Sequence, residues 1–367
     1  MLGGVPHANV SLAALENNVQ VLRSRLRPET ALLAPVKADA YGHGAASTAR
    51  HLEALGVTWF GVATAREALE LRRAGVSGRI LIFIPVYEGL PELLAQDVTL
   101  SVVDATSAEA VVRAAAGERA RVHLKVDTGM GRLGGGTESA LATAEQLARA
   151  PNVELEGLWT HFACSDEPDR RYTQMQLARF CEAAAALKRE GLHVPLKHTA
   201  NSAATLAYPE SHFDLVRPGI AVYGYHSSAH SATLAPALTP VMTLTAPVTF
   251  VKRVQKGQNV SYGGLWSAPH DTTLATVRFG YADGYPRALS THPAAKVRLH
   301  GQLCPVVGRV CMDQLMVDVG SLDVTVGDRA VIFGPKGPTA EELGEAAGTI
   351  SYELLVRLGA RVTKECR

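Results

Sequence analysis

The first two thirds of the chain alternate short, almost wholly apolar runs with longer stretches whose apolar residues recur every three or four positions. Ser11 stands before a helical pattern that reaches Leu26, with Leu12, Leu15, Val19 and Leu22 on one face. Eight strand-like runs follow, at 31–36, 59–63, 80–84, 100–103, 122–126, 155–162, 196–199 and 215–216, separated by Ala-rich helical stretches. Runs that are apolar at every position suit parallel strands covered on both faces. Eight strand–helix alternations predict an α/β fold, a closed (β/α)8 TIM-like barrel, for which roughly 250 residues is typical; an open doubly wound sheet is the competitor.

After 227–240, rich in Ser, Ala, Thr and Pro, the pattern changes. Runs at 241–254, 273–278, 296–300, 303–307 and 329–333 are separated by Gly and Pro, and a helical pattern returns only at Ala340. With 367 residues the chain exceeds what one core organises. The expected division is a barrel domain over 1–235 and a mainly-β C-terminal domain over 236–367.

Several polar residues share one address. Lys37, Arg132, His161, Asn201, Ser202 and Arg217 all fall at or just past the C-terminal ends of predicted strands, where barrel enzymes place their chemistry. Charge narrows the classes of partner: 36 Lys and Arg stand against 35 Asp and Glu, so no sign dominates, and neither a nucleic-acid nor an anionic membrane surface is expected. The longest apolar runs, such as 80–86, are too short to span a bilayer. Five cysteines without a C-x-x-C pair fit free thiols in a reducing compartment, and the N-terminus shows no secretory pattern, so a cytoplasmic protein is expected. No metal site is expected from the histidines.

The densest chemistry lies in Pro35-Val36-Lys37-Ala38-Asp39-Ala40-Tyr41-Gly42-His43-Gly44. A strand that delivers one lysine into a loop of small residues suits covalent chemistry, because a desolvated amine becomes a Schiff-base nucleophile. Lys125-Val126-Asp127-Thr128-Gly129-Met130-Gly131-Arg132-Leu133-Gly134 contains a formal G-x-G-x-x-G, with Glu154 about twenty residues on, so a dinucleotide site competes there. Asn201-Ser202-Ala203-Ala204 and Gly219-Ile220 open helices after the last two barrel strands, a favoured place for a phosphate group. Helix capping by Asn201 and Ser202 is compatible with that role. Cys311 has no evident histidine partner and reads as an inert thiol.

Residues 35–44 closely resemble the pyridoxal-phosphate attachment segment of the alanine racemase family of fold type III, and later segments match in the same order along nearly the whole chain. The resemblance implies that Lys37 forms an aldimine with pyridoxal 5'-phosphate, and that Tyr41, Tyr352, Asn201, Ser202, Gly219 and Ile220 lie around its phosphate. Arg132 would meet the substrate carboxylate and the cofactor's phenolic oxygen, a task suited to a planar guanidinium. Lys125 is a candidate for carbamylation, with a plain ion pair as the alternative. Arg217, in Asp214-Leu215-Val216-Arg217-Pro218-Gly219, would face the pyridine nitrogen, with His161 hydrogen-bonded to it. A permanently charged arginine leaves that nitrogen unprotonated, weakens the electron sink and favours prompt reprotonation over transamination.

Racemisation needs an acid/base group on each face of the α-carbon. Lys37 would be one and Tyr262, in Val260-Ser261-Tyr262-Gly263-Gly264, the other; a phenol is a weak base at neutral pH and needs cationic neighbours. In the family this tyrosine comes from the partner subunit of a homodimer, as do the residues matching Met312 and Asp313, and Tyr281 would gate the substrate entrance. The implied activity is interconversion of L- and D-alanine, supplying D-alanine for peptidoglycan. A broad-specificity or serine racemase, a barrel-type amino-acid decarboxylase and a non-catalytic cofactor-binding protein remain as alternatives.

Overall fold

A computed structural model describes residues 4–234 and 238–367. The predicted boundary at 235/236 lies outside the described residues. The strands are β1 (His7–Val10), β2 (Ala31–Pro35), β3 (Trp59–Val62), β4 (Arg79–Ile82), β5 (Val98–Val102), β6 (Ala120–Lys125), β7 (Val153–Trp159), β8 (Leu196–His198), β9 (Leu215–Val216), β10 (Met242–Val254), β11 (Asn259–Val260), β12 (Trp266–Ser267), β13 (Thr272–Val277), β14 (Lys296–Leu299), β15 (Gln302–Val307), β16 (Leu315–Asp318), β17 (Arg329–Phe333) and β18 (Thr363–Cys366).

The chain divides into two compact units. One comprises Leu15–Ala40 and Ala45–Leu238. Its eight strands pair in parallel in the order β8-β7-β6-β5-β4-β3-β2-β9, so each predicted run forms a strand within a few residues of its expected limits. The ends of this sheet meet: Asp214 N–H donates to Lys197 C=O at 3.0 Å and Arg217 N–H to Ala200 C=O at 2.9 Å, which makes the sheet a nearly closed barrel. Every residue of β3 and β5 is buried; β3 is apolar throughout, and β5 carries Thr99 and Ser101 between its apolar residues. Leu33, Trp59, Leu81 and Leu215 pack together inside. Helices start where capping residues stand; Thr64 and Glu67 form a reciprocal capping box before helix Ala65–Arg73, and Asp104 and Ser107 do so before Ala105–Ala114.

The other unit comprises Thr239–Arg367, the N-terminal stretch ending at Ala14, and the short segment Tyr41–Gly44. Its strands run in the order β13-β16-β15-β14-β17-β10-β1-β18, and β10 also pairs with β13, so six strands close into an antiparallel ring. β10 manages this by its thirteen-residue length: residues 244–247 pair with β17, residues 248–254 with β13, and the register shifts near Val248. β1, counted with 1–235 in the sequence reading, belongs to this unit, antiparallel to β10 and parallel to β18. Among the described residues no helix is long and apolar enough to cross a membrane.

Candidate active site

Lys37 begins a segment with an unusual backbone. Ala38, Asp39, Ala40 and Tyr41 all have φ between 52° and 54°, a left-handed turn built without glycine, and Gly42 follows at φ 86°. Left-handed helical backbone costs an L-residue roughly 1–2 kcal/mol, so such a run persists only where its surroundings dictate it. Two carboxylates do so here. Glu67 accepts from Ala38 N–H at 2.7 Å as well as from Ala63 and Thr64, and Asp39 accepts from Ala45 N–H at 2.7 Å. Gly42 is required besides: a Cβ there would lie 2.0 Å from Leu355 C=O.

Around Lys37 the barrel unit gathers cations. Burial pulls the Lys37 amine below its usual range, the Arg132 guanidinium adds to this, and Glu67 opposes it. Lys125 is buried at the end of β6, and its Nζ finds no hydrogen-bond partner among the described residues; it sits 4.2 Å from the centroid of the Trp159 ring. Burial, then Arg217 and Arg132, bring it down to about 7. His161 is kept neutral by burial and by Arg217, Lys125, Arg132 and Lys37. Arg132 itself is exposed on its loop. Lys37, Lys125, Arg132, His161 and Arg217 thus form one cluster.

The loop before Arg132 settles the dinucleotide alternative. The Asp127 carboxylate accepts from the N–H groups of Gly129, Met130 and Gly131 at 2.8–3.1 Å, so an anion of the chain already occupies the amides that a pyrophosphate would need, and no helix begins before Thr137.

Arg217 is buried, and both of its terminal nitrogens are hydrogen-bonded. Its Nη2 donates to the carbonyls of Thr160 at 2.6 Å and Thr199 at 3.0 Å, and its Nη1 to His198 Nδ1 at 2.8 Å. The expected partner, His161, is farther, at 3.5 Å from Nη2. The sequence reading missed His198 because a three-residue strand gave no reason to single it out; it also missed Glu67, although Thr64-x-x-Glu67 is a readable capping-box signature. Asn201 caps helix Ser202–Ala207 by accepting from Ala204 N–H, and Ser202 Oγ accepts from Ala221 N–H at 3.3 Å, which ties that helix start to Gly219 and Ile220 of helix Gly219–Val222.

The remaining predicted residues belong to the second unit. The rings of Tyr41 and Tyr352 lie 6.0 Å apart, and burial pushes the Tyr41 hydroxyl well above its usual range. Tyr262, 70 % exposed, stands on a short turn after Ser261, whose own φ is 67° and whose hydroxyl donates to Arg309 C=O at 2.7 Å. Ser261 Oγ also lies 3.5 Å from Cys311 Sγ. Tyr281 N–H donates to Cys311 C=O and Ala282 N–H to Met312 C=O; the Asp313 carboxylate pairs with Arg361, which also holds Asp283. Tyr262, Tyr281, Met312 and Asp313 are therefore parts of one laced region. His226 and His230, four apart, span the turn before helix Ala229–Thr233 and do not lie on one helix; among the described residues no cluster could hold a metal.

The family described as alanine racemase, N-terminal domain, matches residues 10–227, and that described as alanine racemase, C-terminal domain, matches residues 241–366. The chain belongs to the alanine racemase family. An alanine racemase of Streptomyces coelicolor is 45% identical over 374 residues, 97% of this chain and 94% of that protein. The crystal structure of the alanine racemase from D-cycloserine-producing Streptomyces lavendulae superposes with a TM-score of 0.93 at 41% identity, covering 99% and 97% of the two chains. That of the Bacillus anthracis alanine racemase with bound L-Ala-P does so with a TM-score of 0.91 at 34% identity, covering 98% and 94%. The alanine racemase family is pyridoxal-phosphate dependent, and the residues gathered here suit that cofactor. They offer a lysine amine depressed by burial, two helix starts joined through Ser202, and a buried guanidinium at Arg217 held by a histidine and two backbone carbonyls.

Proposed function

We propose that this protein interconverts L-alanine and D-alanine with pyridoxal 5'-phosphate as cofactor, and that it supplies D-alanine for peptidoglycan. The observation that carries the reading is Lys37: a lysine with a depressed amine, held on a strained turn in a cluster of cations that ends at a buried arginine. Lys37 would bond the cofactor, with Asn201, Ser202, Gly219, Ile220, Tyr41 and Tyr352 around its phosphate and Arg217, steadied by His198 and His161, at its ring nitrogen. When bound, that group withdraws electrons from the substrate α-carbon and so acidifies its proton.

The chain's own residues then have distinct tasks. Arg132 orients the substrate carboxylate, with Lys125 beneath it; an amine near neutrality is the form that carbamylation requires. Tyr262 Oη removes the α-proton of L-alanine and Lys37 Nζ delivers one to the opposite face, the roles reversing for D-alanine. Tyr262, Met312 and Asp313 would come from the second subunit of a homodimer, with Tyr281 as a gate, residues 1–235 together with Tyr352 holding the cofactor and the rest of 236–367 completing the partner's site. Four exposed side chains in one laced region, Tyr262, Leu265, Tyr281 and Met312, support such an interface. Five free cysteines support a reducing, cytoplasmic setting.

The test is the decay of optical rotation of L-alanine, with L-serine and L-ornithine in parallel, on protein supplied with pyridoxal phosphate. Alanine should racemise fastest, and Lys37→Ala and Tyr262→Phe should each lose at least about 100-fold in rate, as removal of an acid/base group does. Retained rotation with a bound cofactor would move the function toward decarboxylation or cofactor carriage.

A further inference from the structure

Inside the barrel unit a row of side chains extends from Arg217 to Arg79, and the reaction described above uses only Arg217 and, as its support, His198. Arg217 Nη1 lies 2.8 Å from His198 Nδ1, His198 Nε2 2.8 Å from His123 Nδ1, and His123 Nε2 3.2 Å from Glu156 Oε2; Arg79 Nη2 reaches Glu156 Oε1 at 2.5 Å. Both histidines are fully buried. Gly157 makes room for one of them, since a Cβ there would stand 2.5 Å from the His123 ring.

The polarity of the row is fixed by its ends. A guanidinium only donates, so His198 Nδ1 must accept. In a neutral imidazole the other nitrogen then carries the proton, so His198 Nε2–H donates to His123 Nδ1, and His123 Nε2–H donates to Glu156. The other end agrees, because an ionised carboxylate between Arg79 and His123 only accepts. Burial, with the surrounding cations, pulls both histidines below their usual range, and at His123 Glu156 opposes this without overcoming it. Burial alone would raise the Glu156 carboxyl, but the bonds from His123 and Arg79 outweigh it and hold it below its usual range.

We propose that Glu156 is a positioning residue for Arg217: its carboxylate fixes His123 and His198 as Nε2–H tautomers and so preserves the acceptor that holds the guanidinium. This rests on the reading of Arg217 as the group at the cofactor's ring nitrogen. The chemistry of a glutamine makes the point testable. In Glu156→Gln the amide oxygen turns to Arg79, the stronger donor, and its NH2 faces His123. His123 then accepts at Nε2 and donates from Nδ1, His198 does likewise, and an Nδ1–H meets an Arg217 N–H. Adding Arg79→Met frees the glutamine to turn its oxygen to His123 and restores the original order.

The measurement is nitrogen-15 NMR of histidine-labelled holoenzyme, which reads each tautomer directly, beside racemisation of L-alanine. Wild type should show neutral Nε2–H tautomers at both histidines between pH 6 and 8. Glu156→Gln should show Nδ1–H at both and a kcat/KM lower by about 10- to 100-fold, as loss of a hydrogen bond to a charged group implies. The double variant should recover the tautomers and most of the rate. An Nδ1–H tautomer in wild type overturns the proposal without any variant, which covers a Glu156→Gln protein that fails to fold. Unchanged kcat/KM in a folded Glu156→Gln protein overturns it as well. A wild type that racemises nothing refutes the functional reading while the tautomers still decide the relay.

Discussion

Lys125 shows how a single residue's environment sets a measurable pH dependence. Folding takes its amine from the ordinary 10.5 down to about 7, so between those values the unfolded chain binds the additional proton. The stability it contributes therefore rises as pH climbs from 7 toward 10.5, and below 7 the buried ammonium imposes a constant cost of roughly 5 kcal/mol. Replacing it by methionine, which fills similar space without charge, should raise the melting temperature of the cofactor-free protein at pH 6 by roughly 5 °C or more, with the gap closing toward pH 10. Thermal scans at the two pH values check this; an equal gap at both would mean that the effect is packing alone. At this scale the sequence was informative where neighbours were distinctive, as around Lys37 and Arg217, and silent where the role depends on a contact across the barrel, as with His198, which bonds Arg217.

The left-handed turn after Lys37 is a property of an element, and nothing in Lys-Ala-Asp-Ala-Tyr announces it. Alanine favours right-handed helix, and the conformation is held by Glu67 from outside the turn and by the bond from Ala45 N–H to Asp39 within it. Two outcomes follow from that division of causes. Ala38→Gly keeps the N–H bonded to Glu67 and removes the Cβ penalty, so it should stabilise the protein by about 0.5 to 1 kcal/mol after the entropy that glycine adds to the unfolded chain. Urea titration measures it. Glu67→Ala frees three N–H groups and should weaken cofactor binding about 10-fold or more, read from the visible absorbance on titrating pyridoxal phosphate into the cofactor-free protein. The barrel strands, by contrast, were legible because burial keeps most of their positions apolar. The runs His7–Val10 and Thr363–Cys366 mix polar and apolar residues over four positions, too short for a period to show.

For the whole molecule, the proposed sharing of sites between subunits has a quantitative consequence. Lys37→Ala and Tyr262→Phe should each be nearly inactive alone. Subunits mixed, unfolded together and refolded would form half of their dimers from one of each kind, and each such dimer would own one intact site. The mixture should recover about a quarter of wild-type activity, whereas sites complete within one subunit would recover none. A barrel followed by a mainly-β part was legible from the change of pattern along the chain, but the ring closure through β10 and β13 was not, because a strand that changes partners midway reads in sequence as one long run. β1 adds a consequence in time. Its partners are residues 242–245 and 363–366, so on a ribosome adding roughly 5–20 residues per second this strand waits on the order of 10 to 50 s for its first neighbour, while the entire barrel is made and can close. Residues 7–10 have no partner strand throughout that interval, and a run of only four residues offers little edge for another chain to pair with.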